Sequence, residues 1–386
     1  MSQYPFYEPN CISHTLDSQY MLEFARNILS TCRQNVEHGS IYNGSAGCAY
    51  VQLLHASIQT EKGDTGVGKE VRSAIRRAQK SLEYISQRRV SLLEGRTGPT
   101  ALLLWAGALL GDEGMVDMQW RHMMSYGIQV TELPRGECEV LYGRCGYLHS
   151  LLLCKKVDTF GIVDLSGGDS QCELVVAQIF EEGLRCAERV RVESHGQVDF
   201  PLCWTWHDKV YLGAAHGIAG ILYTLLLFVP QLQRISSNRG LDLVLRTVVY
   251  LVENFSHPSG NLFSSARSRP ARSSHSNPPD DRLVQWCHGA PGVVHLLCLV
   301  AERFEGRREW CLEQARRACQ CVWERGLLRK GVGLCHGISG NAYCFVTYAR
   351  ALSSFADVWQ SSGEIVRAAE YRERSDLFML RYSEPK

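Results

Sequence analysis

The stretch Val284–Leu297 reads VQWCHGAPGVVHLL, and Gly333–Val346 reads GLCHGISGNAYCFV. Both carry Cys-His-Gly-x-x-Gly, and both continue into apolar sequence. They belong to a longer series. YNGSAGCAYVQLL begins at Tyr42, LEGRTGPTALLLW at Leu93, LYGRCGYLHSLLL at Leu141 and AAHGIAGILYTLLLF at Ala214. Six times a G-x-x-G, with first glycines Gly44, Gly95, Gly143, Gly217, Gly289 and Gly337, precedes an apolar run. Repetition of this kind marks an array of equivalent helical units. A helix that is apolar all round is a buried helix. Glycines three apart in its first turn remove side chains where backbones converge, and they are expected to leave orphan N–H groups facing a cavity.

Amphipathic stretches lie between these runs. In KEVRSAIRRAQKSLEYIS the apolar residues Val71, Ala74, Ile75, Ala78, Leu82 and Ile85 keep helical spacing among Arg and Lys. LDLVLRTVVYLVENF, from Leu241, and LEQARRACQCVW, from Leu312, do the same. Buried inner helices alternating with polar-faced outer helices make an all-α fold, an α/α toroid, read as a single domain over 1–386. Strand signals are scarce and no βαβ order appears. The inner-helix N-termini should gather at one end, which places the Cys-His pairs on that rim. One segment, 257–282, breaks the pattern: HPSGNLFSSARSRPARSSHSNPPDDR is rich in Ser, Pro and Arg and reads as an irregular loop, with a short hairpin in HPSGNLF.

Bulk properties exclude several function classes. The chain has 386 residues, 45% of them hydrophobic, and a net charge of +1, which gives no electrostatic case for nucleic acid. No apolar run approaches the roughly 18 residues of a membrane span, and MSQYPFYEPN lacks the order of a signal peptide. The 16 cysteines sit largely inside apolar runs, as reduced thiols do. A cytoplasmic protein is expected, with peripheral plasma-membrane association left open. GDTGVGKE, Gly63–Glu70, fits G-x-x-x-x-G-K, but Glu70 stands where a phosphate loop needs Ser or Thr, and its flanks are helical.

Cys287, His288, Cys335 and His336 are the residues to weigh. Thiolates and imidazoles suit zinc. Four ligands would close the site structurally; three would leave a position for water or substrate, and the spacing alone does not choose. His216 in GAAHGIAG occupies the same place relative to its G-x-x-G as His288 and His336. Glu139, ahead of VLYGRCG, approaches the rim from the third repeat and forms with His216 a candidate acid/base pair.

LYGRCGYLHSLL, YLGAAHGIAGILY, VQWCHGAPGVVHLL and GLLRKGVGLCHGISGNAY together resemble the eukaryotic LanC-like proteins, relatives of the bacterial lanthionine synthetase C cyclases. The resemblance runs from about Tyr42 to about Tyr348. It implies a toroid of seven inner and seven outer helices, and zinc held by Cys287, Cys335 and His336 with His288 a neighbour. It further implies glutathione as partner, added to dehydroalanine or dehydrobutyrine residues of peptides or proteins. In that reaction His216 is the general acid, and Glu139 stands where the cyclases keep an aspartate. Lys330 in LLRKGVGLCHG and Arg144 in LYGRCG are the substrate-binding candidates, Lys330 matching a glutathione-carboxylate contact. Six hairpins are evident; after EIVRAAEYRERSDLFML, read as the sixth outer helix, the seventh is not seen, and a truncated C-terminus is expected. The rival reading is a zinc- and glutathione-binding scaffold without turnover. A toroid glycosidase would place Asp and Glu pairs on the rim, where this chain carries Cys and His.

Overall fold

Every one of the six G-x-x-G motifs starts a helix in the computed structural model, which describes residues 38–61, 63, 66–165, 171–235, 239–268, 281–355 and 368–376. In chain order the helices are α1 (Ser45–Glu61), α2 (Gly68–Tyr84), α3 (Thr97–Leu110), α4 (Glu113–Ser125), α5 (Gly127–Thr131), α6 (Arg144–Val157) and α7 (Gln171–Glu193). They continue as α8 (Ile218–Leu226), α9 (Val229–Arg234), α10 (Gly240–Phe255), α11 (Ala290–Arg303), α12 (Arg308–Arg325) and α13 (Ile338–Ser354). Residues 368–376, inside the expected sixth outer helix, form α14. Among the described residues β structure is limited to isolated bridges, Trp206–Lys209, Tyr211–Ser265 and Ser256–Leu262.

The glycines are required by the way each chain segment enters its helix. A Cβ on the second glycine, Gly47, Gly98, Gly146, Gly292 or Gly340, would fall on the carbonyl oxygen of the residue six places earlier: Ile41, Leu92, Val140, Trp286 or Leu334. The entering loop therefore lies directly across the first helical turn. The leading N–H groups of five of these turns do not face the cavity that the sequence suggested. They donate to the loop: Ser45 to His38 O at 2.9 Å, Arg96 to Arg89 O at 2.9 Å, Arg144 to Glu137 O at 3.0 Å, Ile218 to Tyr211 O at 3.0 Å and Ile338 to Gly331 O at 3.0 Å. Each pair spans seven residues. A loop this tight satisfies a leading orphan donor of the helix and tolerates no side chain beneath it.

The fifth repeat departs from this rule. Ala290 N–H donates to the side-chain Oδ1 of Asn261 at 2.7 Å, while Asn261 Nδ2 takes the Leu283 carbonyl at 3.2 Å and Asp281 Oδ1 at 2.9 Å. Asn261 sits in HPSGNLF, which is a hairpin as expected: His257 N–H reaches Asn261 O at 2.7 Å, and Phe263 N–H reaches Phe255 O at 3.0 Å. Gly289 has φ +126° here, whereas its counterparts Gly143, Gly217 and Gly337 have φ of −92°, −115° and −126°. The first part of the 257–282 loop is thus fixed against α11; residues 269–280 lie outside the described set.

Two compact units divide the chain, one within 17–181 and one within 182–386, with α7 crossing the division. In the first, α1 packs on α2 and α3, and α3 also meets α4 and α6. Ala46, Ala49, Leu53 and Ala56 of α1 interlock with Val71, Ala74 and Ala78 of α2 and with Leu102, Trp105 and Ala106 of α3. In the second, α8 packs on α10 and α11, and α11 on α12 and α13. Inner helices α3, α8 and α11 are buried nearly all round. Inner helices α1 and α13 are one-sided instead, exposing Val51, Leu54 and Ile58 on α1 and Tyr343 and Val346 on α13. Outer α2 buries Val71, Ala74, Ala78 and Ser81 and leaves its cations outside.

The described cysteines are all free thiols, and only Cys48 and Cys335 are not fully buried. No described helix is long and apolar enough to cross a membrane. The G-x-x-x-x-G-K match falls between α1 and α2, with residues 62, 64 and 65 outside the described set. Glu70 already belongs to α2 and bonds His55 Nδ1 at 2.9 Å, so no strand leads into a phosphate loop here.

Gly289→Ala combines a positive φ with a Cβ placed on the Leu283 carbonyl. It should lose about 2–3 kcal/mol of stability in chemical denaturation. Gly306, with open space around its Cβ position, should accept Ala within about 0.5 kcal/mol.

Candidate metal centre

The loops entering α8, α11 and α13 stack on one another in the 182–386 unit. Cys287 N–H donates to the Cys335 carbonyl at 3.2 Å, joining the fifth and sixth loops. Gly213, in the fourth, lies so close to the Cys287 carbonyl that a Cβ would overlap it. This stacking converts two distant Cys-His motifs into one cluster. The ligand atoms of Cys287, Cys335 and His336 all lie within 4.8 Å of one another. Cys287 is buried, Cys335 half-buried and His336 exposed, so the cluster opens on the histidine side. Two thiols and an imidazole are a donor set that fits a borderline-soft, tetrahedral cation with one position to spare.

His288 does not join this group. Its ring faces Tyr211, with centroids 5.5 Å apart, and its backbone exchanges two 3.2 Å hydrogen bonds with Gln285. Those bonds close a small turn around Cys287. Gln285, buried in that turn, donates from Nε2 to Cys287 Sγ at 3.0 Å and accepts at Oε1 from Lys330 Nζ at 2.9 Å. One amide therefore connects a thiol to an exposed cation. The hydrogen bond shared with Cys335, together with burial, pushes Cys287 far up, and the Gln285 donor opposes this. A divalent ion held by these residues would invert that balance, because a coordinated thiol is deprotonated.

His216 sits on the neighbouring loop, half-buried. Its ring lies flat on Trp206, with centroids 3.9 Å apart and planes 1° from parallel. Trp206 and Lys209 close a two-residue turn through reciprocal bonds of 2.9 and 3.1 Å. The central residues His207 and Asp208 have φ of 47° and 58°, the mirror-image turn that glycine or asparagine usually supplies. A strained tight turn thus fixes the ring on which His216 rests.

Glu139 and Arg144 belong to the 17–181 unit. Glu139 is 1% exposed, and its carboxylate accepts from the backbone N–H groups of Leu141 at 2.9 Å, Tyr142 at 2.5 Å and Gly143 at 3.0 Å. It shapes the turn entering α6. Arg144 requires a correction: it is not an open substrate-binding cation. Its side chain is buried, Nε meets Gln178 Oε1 at 3.0 Å, and the two Nη groups hold the carbonyls of Thr131, Leu133, Pro134 and Glu137. The guanidinium organises the 131–137 loop, and its donors are already taken.

With this geometry in hand, comparison with known proteins identifies the family. The model of the lanthionine synthetase C-like proteins matches residues 35–357. This chain belongs to the LanC-like family. It is 32% identical over 304 residues to the Danio rerio protein named glutathione S-transferase LANCL1, covering 78% of this chain and 68% of that one. It is 28% identical over 347 residues to the Arabidopsis thaliana LanC-like protein GCL1, covering 88% and 69%. Among solved structures, nisin cyclase matches with a TM-score of 0.60 and 15% identity over 95% of both chains. The fold is accordingly the α/α toroid of the LanC cyclases.

Three contributors were not legible as site residues in the sequence: Gln285, Trp206 and Asn261. Gln285 stands two places before the cysteine in VQWCHG and could have been found there. Trp206 could not, because WHDK carries no glycine to announce its turn.

Replacing Arg144 by Met should destabilise the protein by at least about 3 kcal/mol, since several buried carbonyls lose a charged donor. Metal content per folded molecule should not change. Calorimetry alongside metal analysis checks both halves.

Proposed function

We propose that the protein binds one zinc ion through Cys287, Cys335 and His336 and adds glutathione to dehydroalanine or dehydrobutyrine residues of peptides or proteins. The observation that carries this reading is the convergence of two thiols and an imidazole within 4.8 Å, open on one side. Family membership and the name of the Danio rerio relative, glutathione S-transferase, support it.

The ion would supply acidity, keeping an incoming glutathione thiol as thiolate near neutral pH. The chain supplies the rest. Lys330, anchored through Gln285 beside Cys287, offers an ammonium to a glutathione carboxylate. As the thiolate sulfur bonds to the alkene β-carbon, the π electrons pass to the α-carbon and its carbonyl. His216 then delivers a proton to the α-carbon, its ring held in plane by Trp206. Glu139, which accepts from three backbone N–H groups, orders the loop of its own repeat.

Cys335→Ala should abolish stoichiometric zinc in the purified protein, while His288→Ala should retain most of it. Equal loss from both would point to a closed four-ligand site. His216→Ala should keep its zinc and lose about a hundred- to ten-thousand-fold in glutathione addition to a dehydroalanine peptide, followed by mass spectrometry. Wild-type protein that binds zinc and glutathione without product would support the scaffold reading instead.

A further inference from the structure

Among the described residues of the 182–386 unit, three pairs of thiols lie within hydrogen-bonding reach of each other. Cys287 and Cys335 belong, with His336, to the candidate metal centre. Cys319 of α12 and Cys344 of α13 are enclosed in the core, where burial drives the Cys319 thiol up and leaves it inert. The third pair, Cys186 of α7 and Cys203, has a different setting. Arg189 places Nη2 3.4 Å from Cys186 Sγ and 2.7 Å from Thr205 Oγ1. Thr205 Oγ1 is itself 3.7 Å from that sulfur. The hydrogen bond from Cys203, followed by those from Thr205 and Arg189, outweighs burial and holds the Cys186 thiol below its usual range. Cys203 moves up, as the partner that keeps the proton.

The backbone brings the pair together. Cys203 N–H donates to the Gly183 carbonyl at 3.0 Å, and Gly183 has no room for a Cβ because the Trp204 ring lies against it. Both sulfurs are buried, whereas Arg189 and Thr205 are half-buried. Arg189 and Thr205 thus stand between the buried Cys186 sulfur and the surface.

We propose that Cys186 and Cys203 form a peroxide-responsive dithiol that closes to an intramolecular disulfide, with Cys186 the attacking sulfur and Cys203 the resolving one. The Cys186 thiolate attacks one oxygen of hydrogen peroxide. The O–O bond breaks, an S–O bond forms and hydroxide leaves, so sulfur is oxidised by two electrons and peroxide is reduced. Cys203 sulfur then attacks the sulfenic sulfur. The S–S bond forms, the S–O bond breaks, and hydroxide leaves with the Cys203 proton as water. Counting the proton of the Cys186 thiol, two thiols and one peroxide give one disulfide and two waters. The crosslink would fasten residue 203 to α7, three residues ahead of the Trp206 ring that supports His216.

The test treats the full chain with hydrogen peroxide, blocks remaining thiols with N-ethylmaleimide under denaturing conditions, and maps non-reduced peptides by mass spectrometry. The expected result is a Cys186–Cys203 linked peptide that appears at lower peroxide than any Cys319–Cys344 link. In Cys203→Ser, a dimedone adduct should accumulate at Cys186. Arg189→Gln should slow disulfide formation by at least about tenfold, with Arg189→Lys restoring part of the rate and circular dichroism verifying the fold of each variant. Recovery of both thiols as maleimide adducts while other thiols oxidise would overturn the proposal. So would oxidation at an unchanged rate in a folded Arg189→Gln protein.

Discussion

The close passage of each entering loop across the first turn of its inner helix is the constraint from which the rest follows. Loop carbonyls accept the helix's leading N–H groups, and the same approach removes any space for a Cβ at the second glycine. Neither effect is separable from the other. A side chain there would push the loop away and leave buried donors unmet, at a cost of about 1–3 kcal/mol for each. Because each loop is pinned to its helix, neighbouring loops can stack at fixed height. That stacking brings Cys287 N–H to Cys335 O and Gly213 to the Cys287 carbonyl.

The candidate metal centre uses this regularity and also modifies it. In the fifth repeat a side chain from the distant hairpin, Asn261, replaces the local carbonyl as acceptor for the helix start. Asn261 is held by Asp281, which in turn pairs with Arg325 of α12 at 2.6 Å. The loop carrying Cys287 is therefore braced from three sides: the hairpin, an outer helix and the adjacent entrance loops. Gln285 completes the arrangement by tying the thiol to Lys330. Donors of this kind, bonded to a ligating atom from behind, orient it and tune its basicity.

The same residue types play opposite parts elsewhere in the chain. Buried thiols within α12 and α13 act as small apolar groups, a thiol beside Arg189 is reactive, and two thiols beside an imidazole make a ligand set. Arg144 and Lys330 are both cations near a G-x-x-G. Arg144 is consumed by backbone carbonyls, whereas Lys330 remains exposed. Glu139, which the sequence offered with His216 as a candidate acid/base pair, shapes a turn, because three N–H groups converge on its two oxygens.

The sequence by itself determined the helices and their order, since the apolar runs, the amphipathic spacing and the six glycine pairs depend on local backbone geometry and on which faces can meet water. It also singled out Cys287, His288, Cys335 and His336, because duplication places chemistry at equivalent positions, while the choice of Cys287, Cys335 and His336 among them came from the family resemblance. What the glycines make room for, and which loop carbonyls accept the leading N–H groups, was decided only by the loops folding back. Tertiary structure alone also decided that Arg144 is structural, that Trp206 supports His216, and that Asn261 caps a helix 29 residues away. Each of these rests on a partner brought near by packing, and sequence spacing carries no information about which donor reaches an acceptor first.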